Sequence, residues 1–263
     1  MSSDGVVVER ADGLLVCTIS RPDRGGALTM DDTRVLADVF ADAAADVEVR
    51  AVLLRSDGRH FCTGADISGG GERARPETGH MVRRLAAGPH RLVQCVWDCP
   101  VPVVAAVQGR AAGLGLHLVL AADIVVAAES ATFSEPFVAR GFNVDSGGSF
   151  LLTRRIGLTR ATAMVMRASV VGAADAVAWG MIAEVVPDAD VDAAARTLAA
   201  GLAAGATIAL RLTKGLLHDH LSAALGDSMG DEALAIELSI RSDDFKEGMN
   251  AFAAKRPPEF TGR

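Results

Sequence analysis

Three stretches of this chain hold residue types that could do chemistry together. His60-Phe-Cys-Thr-Gly-Ala-Asp-Ile67 follows an apolar run and a turn. Gly64 can take a backbone angle that other residues avoid, which would aim the next N–H, that of Ala65, into a cavity. Gln108-Gly-Arg-Ala-Ala-Gly-Leu-Gly-Leu-His117 reads as a strand-to-helix turn. Free N–H groups at a helix start carry partial positive charge and attract an oxyanion. The two loops together could give two backbone donors to one carbonyl oxygen, each worth about 2.7–4 kcal/mol in a transition state. Phe133-Ser-Glu-Pro-Phe137 then runs into Gly141-Phe-Asn-Val-Asp-Ser-Gly-Gly-Ser149, which places Asp145 among apolar residues just before a Gly-Gly turn and a helix. Read locally, each stretch also has a plainer meaning. The glycines would serve packing, Asp145 would be a helix N-cap and His117 a satisfied core histidine.

The elements that must position these residues alternate in type. Val6–Glu9 and Leu14–Ile19 read as strands around a turn at Asp12-Gly13, and Arg21–Gly26 as a loop. Thr29 followed by Asp31 and Asp32 reads as a capped helix start, with Val35, Leu36, Val39 and Phe40 as its core face. Ala51–Leu54, Val103–Val107 and Asp123–Ala127 read as buried strands. Met81–Trp97 reads as one helix, and another helix follows Gly113. Residues 63–80 are polar and glycine-rich, as a flap would be. From Ser149 onward the pattern is mostly helical, with two or three helices over Arg211–Phe252. This alternation predicts an α/β fold with covered sheets. The expected division is a core over residues 1–200 and a helical region over 201–263.

Composition narrows the function. The chain has 263 residues, long enough to bury a core without disulfides or a structural metal. A net charge of −7 argues against a general nucleic-acid or anionic-membrane binder. With no Tyr and 4% aromatics, base-stacking platforms are not expected either. The N-terminus lacks the basic and apolar regions of a signal peptide, so a cytoplasmic protein is expected. Cys17, Cys62, Cys95 and Cys99 form no CxxC, and Cys95 and Cys99, at helical i,i+4 spacing, have no His nearby to complete a zinc set, so the four read as structural thiols and no metal site is expected. The apolar run Ala111–Ala128 contains His117, Asp123 and two glycines, and reads as a buried helix and strand rather than a bilayer span.

In this order and at these separations, the segments resemble the enoyl-CoA hydratase/isomerase (crotonase) superfamily. The resemblance extends over Ile19-Ser-Arg-Pro, Phe61-Cys-Thr-Gly-Ala-Asp-Ile67, Pro102-Val-Val-Ala-Ala-Val-Gln-Gly109, Ala122-Asp-Ile-Val-Val-Ala-Ala-Glu129 and Ala251-Phe-Ala-Ala-Lys-Arg-Pro-Pro258. It implies a spiral of ββα turns with a helical C-terminal trimerisation region, assembled as a homotrimer or a dimer of trimers. It also implies an acyl-CoA thioester substrate, so coenzyme A arrives with the substrate and no permanently bound cofactor is expected. The oxyanion donors would be the backbone N–H groups of Ala65 and Leu114, flanked by Gly113. Leu114 stands where the family often has the middle Gly of a Gly-Gly-Gly turn. By the same resemblance, Arg24–Ala27 and Ala65, Asp66 and Ile67 would hold the nucleotide end of CoA, with Thr63 beside them. Phe252 and Lys255 would reach CoA across a subunit boundary.

The two glutamates of family hydratases are replaced, by His117 and Phe137. Hydration loses a base for water and an acid for carbon, about 10²–10⁴-fold for each group. Gly141–Ser149 instead resembles the Gly-Leu-x-Pro-Asp-x-Gly-Gly stretch of the ring-epoxide and Δ3,Δ2-enoyl-CoA isomerase branches, with Val144 in place of the usual Pro. There the aspartate is the acid/base, so Asp145 would take a proton from one carbon and return it two carbons along. Phe137 and Phe142 would keep water out, and burial would raise the pKa of Asp145. Two alternatives stand beside this. One is an aspartate-nucleophile hydrolase or dehalogenase with His117 as the base. The other is a non-catalytic acyl-CoA-binding protein. Glu135, Asp123 and Asp66 read as structural, His60 as solvent-facing, and His218 and His220 as lacking partners.

Overall fold

The computed structural model describes residues 3–66 and 77–260. Strands β1 (Val6–Ala11) and β2 (Leu14–Ile19) pair antiparallel, turning on Asp12-Gly13. Helix α1 (Met30–Ala45) opens on the expected cap. The Thr29 hydroxyl accepts the Asp32 N–H at 3.1 Å, and the Asp32 carboxylate accepts the Thr29 N–H at 2.9 Å. The buried Asp32 carboxylate also receives the Arg21 guanidinium at 2.9 Å and the Ser3 hydroxyl at 2.8 Å. Burial alone would raise its pKa, but the hydrogen bonds from Arg21 and Thr29 outweigh it and hold the carboxyl below its ordinary range.

Strand β3 (Ala51–Ser56) follows, then helices α2 (His80–Ala87) and α3 (Pro89–Trp97). The single helix expected over Met81–Trp97 is therefore two. Pro89 has no N–H for the ladder, and Gly88 takes a non-helical φ of −135° and ψ of −93°. Next come β4 (Val103–Val107), β5 (Arg110–Ala112), α4 (Leu114–Ala121), β6 (Ile124–Ala128) and β7 (Thr132–Ser134). Then follow α5 (Gly148–Met166), β8 (Val170–Gly172), α6 (Ala173–Ala178), β9 (Glu184–Val186), α7 (Val191–Ala203), α8 (Thr207–Ser239) and α9 (Asp243–Ala254).

Six strands form one sheet in the order β1-β2-β3-β4-β6-β9, parallel from β2 onward. A second sheet has the order β5-β7-β8. Each turn of the chain lays one strand in the large sheet and one in the small sheet, then crosses back by a helix: β4-β5-α4, then β6-β7-α5. This is a ββα spiral, and the α/β expectation holds. The chain after Ser149 is mostly helical, as expected, with two short strands, β8 and β9, that the pattern does not show. Each has three residues, too few to show an alternation, and its partner strand is distant in sequence.

Helix α7 straddles the 200/201 division and packs on the large sheet. Helix α8 ties the sheet to the cavity described below. Its Lys214 ammonium donates to the Asp123 carboxylate at 2.7 Å and to the Val101 carbonyl at 3.2 Å, and Asp123 also accepts the Val103 N–H at 2.7 Å. His218, expected to lack partners, stacks on Trp97 with ring centres 4.1 Å apart and lies 3.5 Å from Asp123. Further along α8, the Glu237 carboxylate accepts the N–H groups of Gly79 and Met81 at the start of α2. Cys17 and Cys62 are buried, and burial pushes both thiols up to about 12, as expected of structural cysteines.

Asp32 has a depressed pKa in the folded chain. It therefore contributes stability that is complete above the unfolded carboxyl pKa of about 3.9 and is lost as pH falls through its lower folded value. We expect D32N to lose about 1.5–3 kcal/mol at pH 7, because buried charge-assisted donors lose their acceptor. Urea titrations across a pH series should show the gap from wild type narrowing below about pH 4. A gap that stays constant with pH would mean that the carboxylate charge does not matter.

Candidate active site

Helix α4 begins where the chain passes closest to the segment at Cys62–Ala65. A Cβ on Gly115 would lie 2.1 Å from the Cys62 carbonyl oxygen, so only glycine lets the helix sit there. The Ala112 N–H donates to that same carbonyl at 3.0 Å, and the Cys62 N–H donates to Arg110 at 3.1 Å. Gly64 has a φ of +108°, and its Cβ direction ends 4.0 Å from the Leu114 nitrogen. On the other side, Leu28 brackets the segment. Its N–H donates to Gly64 at 2.9 Å and its carbonyl accepts the Asp66 N–H at 2.8 Å. This leaves the Ala65 N–H outside the ladder. Leu114 is the first residue of α4, so its N–H has no acceptor within the helix. Among the described residues no group accepts either N–H. The two loops singled out in the sequence therefore bring their unused donors to one place.

Both donors open on a cavity of about 280 Å³. Thr63, Ala65, Asp66, Gly113 and Leu114 line it on one side, and Phe137, Phe142 and Asp145 line it on another. Ile67 lies outside the described residues. Arg24, Ala27, Phe252 and Lys255 do not line the cavity. Phe252 is half exposed on α9, with the Arg140 guanidinium 4.4 Å above its ring. Lys255 is exposed just past the end of α9. The wall also takes in residues that sequence reasoning did not find, among them Arg84 and Leu85 of α2. Ile236 and Ile240 reach it from the end of α8, Phe245 and Met249 from α9, and Arg140 and Ser146 from the loop between β7 and α5. Nothing in the local pattern marks them, because α8 and α9 cover the site only after folding. Ser146 did carry one signal, its position beside Asp145, and it holds a φ of +52° that is unusual away from glycine.

Asp145 is not the cap of α5. That role falls to Glu232 of α8, whose carboxylate accepts the Gly147 N–H at 2.6 Å and the Ser149 N–H at 2.9 Å. Asp145 is left buried in the cavity wall. Burial pushes its pKa up to about 6, although His117 nearby pulls the other way.

His117 is fully buried and does not line the cavity. Its Nε2 lies 3.0 Å from a Glu135 oxygen, and its ring stacks on Phe137 at 5.7 Å. Burial alone would lower the imidazole pKa, but the adjacent Glu135 carboxylate outweighs that and raises it. Glu135 is thus structural, as expected, and it holds His117 behind Phe137. His60, expected to face solvent, is half buried, with Nδ1 enclosed and unpaired.

The model of the enoyl-CoA hydratase/isomerase family matches residues 9–263. The chain belongs to this family. It is 41% identical over 265 residues to a probable enoyl-CoA hydratase of Rhodobacter capsulatus, covering all of both chains. It is 35% identical over 254 residues to the 1,2-epoxyphenylacetyl-CoA isomerase of Escherichia coli, covering 95% of this chain and 96% of that one. A crystal structure of an enoyl-CoA hydratase from Mycobacterium avium subsp. paratuberculosis superposes with a TM-score of 0.88 at 33% identity, covering 98% of each chain. Members of the enoyl-CoA hydratase/isomerase family are enzymes acting on CoA thioesters.

The two positions at which the resemblance places the hydratase glutamates present no carboxylate to the cavity. His117 lies behind the wall and Phe137 forms it. The lining carboxylates among the described residues are Asp66 and Asp145.

The Leu114 N–H can be removed without removing the helix, because proline is tolerated at the first helical position. We expect L114P to keep a thermal midpoint close to wild type while kcat on a CoA thioester falls about 10²–10³-fold. Unchanged turnover in folded L114P would show that this N–H does not stabilise the transition state.

Proposed function

We propose that the chain is an acyl-CoA isomerase that shifts a double bond by proton transfer. The observation that supports this is Asp145, a buried carboxylate with a raised pKa, in the same cavity as the unused N–H groups of Ala65 and Leu114. The thioester carbonyl oxygen would accept both N–H groups. Negative charge developing on that oxygen acidifies the neighbouring C–H bonds. The Asp145 carboxylate removes a proton from one carbon and the resulting enolate is held by the two donors. Protonated Asp145 then returns the proton two carbons along, and the double bond moves between them. No water is consumed, which suits a wall built from Phe137 and Phe142.

A nucleophilic Asp145 would need a base able to reach water in the cavity. His117 stands behind Phe137 with Nε2 facing Glu135, which counts against that route. Addition of water, suggested by the hydratase names among the relatives, meets the same lack of a second acid–base group. A non-catalytic binder would have no use for an ionisable group buried against the acyl chain.

The substrate brings coenzyme A, and the reaction as written needs no resident cofactor. Thr63 and Asp66 would face the CoA side of the thioester, the Arg24–Ala27 loop would meet the nucleotide beyond the cavity, and Phe252 and Lys255 would reach the CoA of a neighbouring subunit. We also place the protein in the cytoplasm and expect a homotrimer or a dimer of trimers. Ile208, Leu212 and Leu216, exposed along α8, support an interface there. Light scattering on the purified chain should return three or six times its mass, and a monomer would refute the assembly.

The chemistry is tested by NMR with a panel of 3-enoyl-CoA thioesters in D₂O. Wild type should form the conjugated 2-enoyl product and D145N should not. As a base, Asp145 works ionised, so kcat/KM should fall as pH drops below about 6 and level off above it. D145N should remain folded. In wild type, ionising the buried carboxyl costs stability as pH rises from about 4 to about 6, by up to about 3 kcal/mol, and D145N is free of that cost. Isomerisation by D145N, or no product and no deuterium exchange with wild type on any thioester it binds, would refute the proton-shuttle role.

A further inference from the structure

One cation in the cavity wall has no counterpart in the chemistry above. Arg140 lines the cavity, and among the described residues no carboxylate lies within ion-pair distance of it and no side-chain or backbone acceptor takes its guanidinium. Its recorded neighbour is the Phe252 ring, 4.4 Å away. Loss of water lowers its pKa with no nearby acid to offset the effect, whereas Arg155, also half-buried, has Asp123 to offset it. A desolvated guanidinium on a residue that lines a cavity is costly unless an anion completes it.

The place of Arg140 says which part of the substrate it would meet. The rings of Phe137, Phe142 and Phe245 follow one another at 5.3 and 5.7 Å. They lead from Gly113, where an added Cβ would meet the Phe137 ring at 3.4 Å, to α9. Arg140 lies at the α9 end, its backbone packed so closely on Gly248 that a Cβ there would come within 2.5 Å. It shares one loop with Phe142 and Asp145, whose carboxylate must face carbons of the acyl chain. Arg140 is therefore on the acyl side of the thioester and separated from the oxyanion donors by an apolar stretch.

We infer that Arg140 binds a carboxylate at the far end of the acyl chain, so that the preferred substrates are mono-CoA thioesters of dicarboxylic acids. The inference rests on the proposed function, which places the acyl chain against Asp145. A planar guanidinium pairs with a carboxylate through two parallel N–H donors, and the pair is strong where water is excluded.

The test is calorimetric binding of two saturated, unreactive thioesters, adipoyl-CoA and hexanoyl-CoA, with free CoA as control. Wild type should bind adipoyl-CoA at least tenfold more tightly than hexanoyl-CoA, about 1.4 kcal/mol. R140M should erase that preference while leaving hexanoyl-CoA affinity within about twofold, and R140K should keep part of it. Equal affinities for wild type, which need no variant to read, would overturn the inference while leaving the acyl-CoA reading intact. A preference that persists in folded R140M would overturn it as well. Equal weakening of free CoA and both thioesters in R140M would assign Arg140 to a CoA phosphate and also overturn it. Binding of neither thioester would overturn both readings at once.

Discussion

The site depends on one close approach of two backbones, the seat of Gly115 on the carbonyl of Cys62. A hydrogen atom in place of a side chain lets the start of α4 rest directly on an extended segment of the previous spiral turn. The two loops are held in register by the Cys62–Arg110 and Ala112–Cys62 hydrogen bonds and by the bridge from Leu28 to Ala65. Behind them Phe61, Leu116 and Leu118 are fully buried, so the approach is backed by packed core. The N–H groups of Ala65 and Leu114 are left over from this pairing. Their convergence is a by-product of how the spiral stacks, and it costs no reorganisation when charge develops on a bound oxygen.

The second element of the site is a carboxylate left without its usual partners. An aspartate three residues before the start of a helix would ordinarily lower its energy on the free N–H groups of that helix. Here Glu232 arrives from α8 and takes those N–H groups. Asp145 is left with burial as the dominant influence and a pKa near that of a useful base. Helix α8 thus does more than close the cavity. It supplies the cap for α5 through Glu232 and for α2 through Glu237, and it is anchored to the sheet through Lys214 and Asp123. Instability stored at Asp145 is offset by these fastenings elsewhere.

The histidine at position 117 shows how one substitution changes the meaning of a position. The imidazole turns to Glu135 and forms a buried pair that backs the Phe137 ring. The wall becomes aromatic and dry, and Asp145 is the carboxylate from the Phe133–Ser149 stretch that faces the cavity. The same loop ends its apolar stretch at Arg140, so one segment of chain carries the ring wall, the acid and a lone cation.

Much of this was legible in the order of residues. The β1–β2 hairpin, the Thr29–Asp32 capping box, the buried strands β3, β4 and β6 and the helix after Gly113 all rest on short-range signals: periodicity, turn glycines and capping side chains within a few residues. The two oxyanion loops were visible for the same reason, since a glycine before a helix is a local statement about backbone angles. The break at Gly88-Pro89 was equally local. The apolar periodicity through Met81–Trp97 continues across it and masks the missing N–H. Other features had no local signal. The three-residue strands β8 and β9 exist because distant partners hold them. Whether Asp145 caps a helix or faces a cavity was decided by Glu232, 87 residues further along the chain. Whether His117 meets substrate was decided by Glu135 and Phe137, and Arg140 gained its place only when α9 closed over it. The sequence alone determined the elements and the backbone donors, because those depend on neighbours in the chain. Tertiary structure decided which side chains face the cavity and which are neutralised, because burial and charge pairing depend on neighbours in space.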